Sequence, residues 1–406
     1  MHKANHLLSG CCLLISGCAS LSSNSIDTSP QSAQLASCHI PLKQQIDTLA
    51  NALVDSHKTP GVVVAVLTAD RQRHIYSYGV TGGEQSTPIN GDTLFAVGSI
   101  TKGFTAESLA LLVARGELHW DDTLGELIGN NIWLSEDAQK ITLLQLASHT
   151  AGLPRQNTDI EMLNKLTHYL FTGDPFYQEL DNGEFLDYLG EFKKPAHTSV
   201  VYSNLGYAIL DFVISLYSLR TPQDIASQHI ITPLRLRHTG YKPRELPGYP
   251  LRARGHAGDQ PKFVRRGEQV PDWEFTGYMV GAAGLWSSAS DLLTYLSAHL
   301  YGSGDAILDR AFADATHVRV QPAEGDASAL AWLSNRLNGQ TILYQSGFIG
   351  GYSSYIGMDI QHKNAIVVLQ NSFNWDNDIG HRMLLRMAEE QACAPVHHPD
   401  SARKSD

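Results

Sequence analysis

The chain has 406 residues, 43% of them apolar and 17% charged, with 34 Gly and 17 Pro. That balance excludes a disordered chain, a coiled coil and a collagen-like repeat, and the length allows two or three compact lobes. The formal charge of −11 comes without any Lys/Arg cluster, which argues against a nucleic-acid partner because phosphate neutralisation needs a concentrated basic face. The 18 His are scattered, and neither His-Glu-x-x-His nor Cys-x-x-Cys occurs, so no metal centre is expected.

Residues 7–15 form an apolar run behind a single charge, Lys3. It is too short for a membrane-spanning helix, which needs about twenty residues, and it reads as a secretory signal. Ile15-Ser16-Gly17-Cys18 resembles a bacterial lipobox. That resemblance implies a signal peptide over 1–17, lipid on Cys18 as the mature N-terminus, and a membrane partner held through the lipid. Residues 18–40 are rich in Ser, Gln and small side chains and read as a flexible tether. Once the signal is removed and Cys18 is lipidated, Cys38 and Cys393 remain, one near each end of the folded body. In an oxidising compartment they are candidates for a disulfide, which in the loop-entropy model is worth at most about 5 kcal/mol.

In chain order, the apolar spacing of Ile46, Leu49, Leu53 and Val54 predicts a helix. Pro60-Gly61 breaks it, and 62–67 and 74–80 then read as the two strands of a hairpin. The middle of the chain is mainly helical, with helices predicted over 105–114, 141–147 and 207–217. Long irregular stretches lie at 155–175 and 243–272, where loops of that length often form functional walls. Strand patterns return at 329–333, 341–345, 352–358 and 365–369, and a last helix is predicted over 378–392, before a disordered tail at 396–406. Sheet-forming segments therefore lie at both ends of the body, with helices between them.

The chemistry concentrates at Phe95-Ala96-Val97-Gly98-Ser99-Ile100-Thr101-Lys102-Gly103-Phe104. Ser99 and Lys102, three apart, share one face of a helix. A first-turn position exposes Ser99 to free N–H groups and to the positive end of the helix dipole. A Lys packed among Phe95, Phe104 and Leu109 loses hydration and becomes neutral enough to accept a proton. Further on, Tyr202-Ser203-Asn204 opens an apolar helical run, and Gln345-Ser346-Gly347 ends a strand ahead of Gly350-Gly351. No Gly-x-Ser-x-Gly elbow is present, which argues against an α/β-hydrolase.

Ser-x-x-Lys, then Tyr-x-Asn, then a [Lys/His]-[Thr/Ser]-Gly-like strand resembles the serine β-lactamase and penicillin-binding-protein family, in its class C β-lactamase and D,D-peptidase branch. The resemblance covers roughly 42–392. It is reinforced by Leu143-Leu144-Gln145-Leu146-Ala147-Ser148-His149-Thr150-Ala151-Gly152-Leu153-Pro154 and by Gly281-Ala282-Ala283-Gly284-Leu285-Trp286-Ser287-Ser288-Ala289-Ser290-Asp291-Leu292. It implies an α/β (α+β) fold: an antiparallel sheet flanked by helices, with an inserted, mostly helical lobe. The catalytic domain would span 41–395, its α/β lobe at 41–103 and 310–395 and its helical lobe at 104–309.

The resemblance also implies roles. Ser99 would be the nucleophile, Lys102 its proton acceptor, and Tyr202 a relay whose phenol is acidified by the cationic neighbour. Asn204, Gln345, Ser346 and Gly347 would bind substrate, and the backbone N–H groups of Ser99 and Phe348 would form the oxyanion hole. His149 has no such role and reads as a structural turn histidine. No cofactor is implied. The implied activity is acyl-enzyme hydrolysis of β-lactam or D-alanyl peptide amides, or related esters, at the periplasmic face of a bacterial envelope. Ala19 after Cys18 points to the outer membrane in a Gram-negative host. A binding lipoprotein that kept the fold without turnover is the alternative.

Gln345 departs from the family habit of Lys or His, which supplies a charge for a substrate carboxylate. Either carboxylate capture is weakened, so that Gln345→Lys restores it, or an Arg from the long loops, such as Arg155 or Arg265, takes over. On the second reading an added Lys lowers activity.

Overall fold

The computed structural model describes residues 40–393 apart from 131, 157–158, 178–181, 197–199, 323–324 and 338. The predicted signal peptide, the Cys18 lipidation site, Cys38 and the C-terminal tail lie outside the described residues, as does the Cys393 side chain.

Helix α1 (Leu42–Asp55) precedes the hairpin of β1 (Gly61–Leu67) and β2 (Arg73–Gly79). The two-residue strand β3 (Phe95–Ala96) then leads through a tight turn into α2 (Thr101–Ala114). Helices α3 (Leu143–Ala147), α4 (Ile160–Thr172) and α5 (Asn204–Ser218) follow, then the short strand β4 (Trp286–Ser287), α6 (Ala289–Tyr301) and α7 (Ala306–Thr316). The chain returns to strands β5 (Ala327–Ser328), β6 (Leu333–Leu337), β7 (Gln340–Ile349), β8 (Tyr352–Asp359) and β9 (Asn364–Gln370), and α8 (Ile379–Cys393) completes the order.

Seven strands form one antiparallel sheet in the order β2-β1-β9-β8-β7-β6-β5. The first and last long strands, β1 and β9, are thus neighbours, paired from Val62↔Gln370 to Leu67↔Ala365. Their sequences, Gly-Val-Val-Val-Ala-Val-Leu and Asn-Ala-Ile-Val-Val-Leu-Gln, are buried along their full length. Both faces of the sheet are covered, so these strands read as continuous β-branched runs without alternation. Val63, Ala65, Val367 and Leu369 face the helical lobe, while Val62, Val64, Ile366 and Val368 face α1 and α8.

Helix α2 is the pillar of the inserted lobe. It is buried from Thr101 to Leu112, the pattern of a helix apolar on every side. Its Glu107 is not left bare, because Tyr295 Oη donates to it at 2.7 Å and His299 Nε2 lies at 2.8 Å.

Two sequence expectations change. The stretch 155–175 contains α4, capped by Asp159, whose side chain accepts from Met162 N–H, and closed by Gly173 in the left-handed region. Met162, Leu163, Leu166, Tyr169 and Leu170 carry its helical spacing. The strand expected at 329–333 instead begins at Leu333. Ala331 has φ 59°, and the N–H groups of Leu330 and Ala331 bond Ala315 and Ala147, so this segment docks on the helical lobe before it can enter the sheet. The stretch 243–272 is irregular as expected, and Arg252 and Tyr352 pin its end through Asp272.

Candidate active site

Ser99 sits in a single 3-10 turn, Gly98–Ile100, that feeds α2. Gly98 holds φ 51°, which a side chain resists, and Thr101 Oγ1 closes the turn by donating to Gly98 O at 2.5 Å. The β3–β4 pair and the Val97 N–H bond to Leu285 O (3.1 Å) bring residues 282–285 beside the turn. This leaves Ser99 half-exposed at the N-terminal end of a 14-residue helix.

One turn along, Lys102 is 1% exposed. Its Nζ lies 3.2 Å from Ser99 Oγ and donates to the Ala282 carbonyl at 2.8 Å. Burial pushes the Lys102 ammonium well below the usual lysine range, and repulsion from Arg155 adds to that shift. That shift favours the amine form, whose lone pair faces the Ser99 hydroxyl. The residue before that carbonyl, Gly281, is itself held on both sides. Asp211 on α5 accepts from Gly281 N–H at 2.9 Å, and Thr105 Oγ1 donates to Gly281 O at 2.7 Å. A Cβ on Gly281 would lie 2.4 Å from Asp211 Oδ2, so this close approach requires glycine.

Tyr202 comes from an irregular segment just before α5. Its ring centroid is 5.0 Å from Lys102 Nζ and 5.0 Å from the Arg155 guanidinium carbon. The Ser99 side chain lies near enough to its phenol to lower the phenol pKa. The expectation of an acidified phenol is corrected. Burial raises its pKa, and although Arg155 and Ser99 oppose that, the net shift is upward. Desolvation of a phenolate outweighs one nearby guanidinium, so Tyr202 rests protonated.

Asn204 is buried in the first turn of α5, which Ser203 caps by accepting from Gly206 N–H at 2.8 Å. Its Nδ2 donates to Tyr177 Oη at 2.9 Å, so one end of the amide expected to bind substrate already has a protein partner.

The third segment reaches the site along β7. Its ladder with β6 ends at Leu333↔Tyr344, so from Gln345 onward only β8 flanks it within the sheet. Gly347 meets the nucleophile turn so closely that a Cβ there would lie 2.1 Å from Val97 O and 3.0 Å from Ser99 N. A Cβ on Gly98 would lie 3.2 Å from Phe348 N. The two amides expected to form the oxyanion hole therefore flank one contact in which neither strand nor turn carries a side chain. Ser346 is half-exposed on the same strand, and Phe348 packs against Phe373 and Trp375.

Gln345 does not present its amide to the cleft. It is 3% exposed, both amide atoms lack a partner among the described residues, and Nε2 would be 2.5 Å from a Cβ on Gly103. Arg155 is the cation that reaches the site, while Arg265 is exposed on its loop. Three features escaped the sequence reading: the Ala282 carbonyl, the Asp211 clamp and the packing of His149 on Tyr202, with ring centroids 4.6 Å apart. The first two lie in or against the quoted Gly281-Ala282 segment, but nothing local marks a backbone carbonyl as a lysine ligand. Among the described residues no three His, Cys, Asp or Glu side chains converge as a metal site would require.

The family profile described as Beta-lactamase matches residues 46–389. A beta-lactamase of Lysobacter lactamgenus is 30% identical over 191 residues, which span 47% of this chain and 44% of that protein. A beta-lactamase of Pseudomonas fluorescens is 28% identical over 300 residues, spanning 72% of this chain and 74% of the relative. The solved Beta-Lactamase/D-Alanine Carboxypeptidase from Pseudomonas syringae shares the fold with a TM-score of 0.70 at 21% identity, covering 87% of this chain and 99% of the other. With the profile spanning nearly the whole described body, the chain belongs to the beta-lactamase family of serine hydrolases.

Proposed function

We propose that the protein is an exported hydrolase that works through an acyl-enzyme on Ser99, with β-lactam or D-alanyl peptide amides, or related esters, as substrates. The observation that carries this reading is the 3.2 Å contact between Ser99 Oγ and a buried Lys102 whose pKa is driven down. In the forward step Ser99 Oγ attacks the carbonyl carbon and its proton passes to Lys102 Nζ. The oxyanion is met by the N–H groups of Ser99 and Phe348. Tyr202 gives its proton to the leaving nitrogen or oxygen and recovers one from Lys102, and water then releases the acyl group.

For a carboxylate on the substrate, the cation is Arg155. It is half-buried beside Tyr202 and forms no ion pair among the described residues, whereas Gln345 is sealed against α2. Labelling with a fluorescent penicillin and a fluorophosphonate tests the reaction class. Wild-type protein should carry the label on Ser99 and Ser99→Ala should carry none. A protein that labels with neither reagent is a binding protein. Turnover on a chromogenic cephalosporin, a D-alanyl-D-alanine peptide and a p-nitrophenyl ester then ranks the substrate classes.

The lipobox-like segment supports anchoring at the periplasmic face of the envelope. Cys18→Ala should release the protein from the membrane fraction, and unchanged fractionation with no lipid mass on Cys18 would remove this part of the proposal.

A further inference from the structure

Tyr202 must hold its phenol against Ser99, yet residues 200–203 belong to no helix or strand. Two backbone N–H groups flank it, and both end on one residue. Val201 N–H bonds the His149 carbonyl at 2.8 Å, and Ser203 N–H bonds His149 Nδ1 at 3.1 Å. The imidazole also packs against the Tyr202 ring (4.6 Å between centroids) and against Tyr207 (5.1 Å). Tyr207 is anchored in turn by its hydroxyl bond to Ala147 O at 2.8 Å.

His149 can serve both sides of Tyr202 because it sits just past the end of α3 with φ 60°, a left-handed conformation that turns its carbonyl and its ring toward the same segment. With Nδ1 accepting from Ser203, the ring proton belongs on Nε2, which is buried without a partner among the described residues. A residue that only filled space here would not need a ring nitrogen. Burial is the main cause that takes its pKa down to about 3, so the acceptor survives near neutral pH.

We propose that His149 is a positioning residue that sets the Tyr202 phenol against Ser99 through both neighbouring peptide groups and the face of its ring. The inference rests on the acyl-enzyme reading for its kinetic consequence but not for its geometry.

Two variants of the full chain separate the parts. His149→Asn keeps an acceptor near the Nδ1 position and tolerates the left-handed backbone. His149→Phe keeps the stacked ring and loses the acceptor. Acylation by a fluorescent penicillin and turnover of a p-nitrophenyl ester are measured alongside crystal structures of both variants. The expected result is a kcat about 10- to 100-fold lower in His149→Phe, with KM within about threefold, because a displacement near 1 Å at a reacting group costs up to about 10²-fold. His149→Asn should recover most of that loss. In the structures the phenol oxygen should move away from Ser99 in the Phe variant and stay in the Asn variant.

Equal losses in both variants with Tyr202 unmoved, or wild-type kcat in His149→Phe, would overturn the proposal. Wild-type protein that does not acylate overturns the hydrolase reading alone, and the Tyr202 position in the two variants still decides the role of His149. If the Phe variant does not fold, His149→Gln, whose amide reaches the Nε2 position instead, takes its place with the same expected loss.

Discussion

Ser99 has one partner on regular structure and one on loops. Lys102 rides a helix buried from Thr101 to Leu112 and is fixed by the Ala282 carbonyl, next to the Gly281 that Asp211 and Thr105 hold in place. Tyr202 hangs from an irregular segment tied to His149, and its ring is half-exposed to the cleft beside Arg155. Deep burial lowers a lysine's pKa and favours its neutral amine, so a lysine proposed as proton acceptor needs a dry, rigid seat. The group that meets the leaving atom needs contact with substrate, so it lies on the surface-facing side. On the proposed acyl-enzyme reading, this division places the common acyl-transfer step on the helix and the substrate-dependent step on the loops.

The largest break of that arrangement is on the helix side. Lys102→Met should lower acylation by about 10³- to 10⁴-fold, the upper range for a lost general base. It should leave the melting temperature unchanged or raise it, because an apolar chain replaces a buried amine. Stopped-flow acylation and calorimetry read the two effects, and a loss of folding would show that Lys102 is structural as well.

Next is the contact between β7 and the nucleophile turn. Gly347→Ala forces a Cβ onto Val97 O and toward Ser99 N and should cost about 10²-fold in kcat on every substrate. Gly103→Ala also crowds a neighbour, but that neighbour is the flexible end of Gln345, and alanine favours a helix interior over glycine by about 1 kcal/mol. Its activity should stay within about threefold of wild type. Similar losses in both variants would erase the distinction between a backbone contact and a yielding side chain.

Gln345 and Arg155 sharpen the comparison on the loop side. Gln345→Lys would bury an ammonium against α2, near Lys102 and under no carboxylate, so about tenfold loss on all substrates is expected. Arg155→Gln should lose about 5- to 30-fold in kcat/KM on a penicillin, the worth of one charge-assisted bond, and change little on a neutral ester. It should also move the acidic limb of the pH–rate profile to higher pH, because Arg155 helps to hold the Lys102 pKa down and the amine form is the active one. Improved penicillin turnover by Gln345→Lys would mean that the charge belongs on β7 after all.

The smallest effect near neutrality concerns acid stability. His149 on the loop side and His381 on α8 are both held near pKa 3 by burial, against an ordinary value of 6.5. The unfolded chain takes up these protons first, so the stability they confer is complete above pH 6.5 and falls as the pH drops toward 3. The slope is about 1.4 kcal/mol per pH unit for each histidine once well below 6.5. Asp211, raised to about 7 by burial, acts in the opposite sense between 7 and 3.8. The difference between wild type and His149→Asn isolates one histidine, and urea melts from pH 7 to 4.5 should show the variant losing stability less steeply. Parallel curves would mean that His149 already titrates in the folded protein.

Elements whose signals are local are legible in the sequence. β-branched runs marked β1 and β9, and apolar spacing marked α1, α2 and α5. The order of three short segments marked the family. Helix α4 is equally legible through Asp159, Gly173 and its periodic Met162, Leu166 and Tyr169, although its polar flanks give the whole stretch the look of a loop. What only the tertiary structure decided is everything set by desolvation and by encounters between distant residues. The upward shift of Tyr202 depends on how much water the fold removes from its phenol, which no spacing encodes. The burial of Gln345 against Gly103, the Ala282 carbonyl on Lys102 and the two bonds from His149 to the flanks of Tyr202 each join segments far apart in the chain. Periodicity and capping act over a few residues, whereas a pKa or a 3 Å contact is a property of the packed whole.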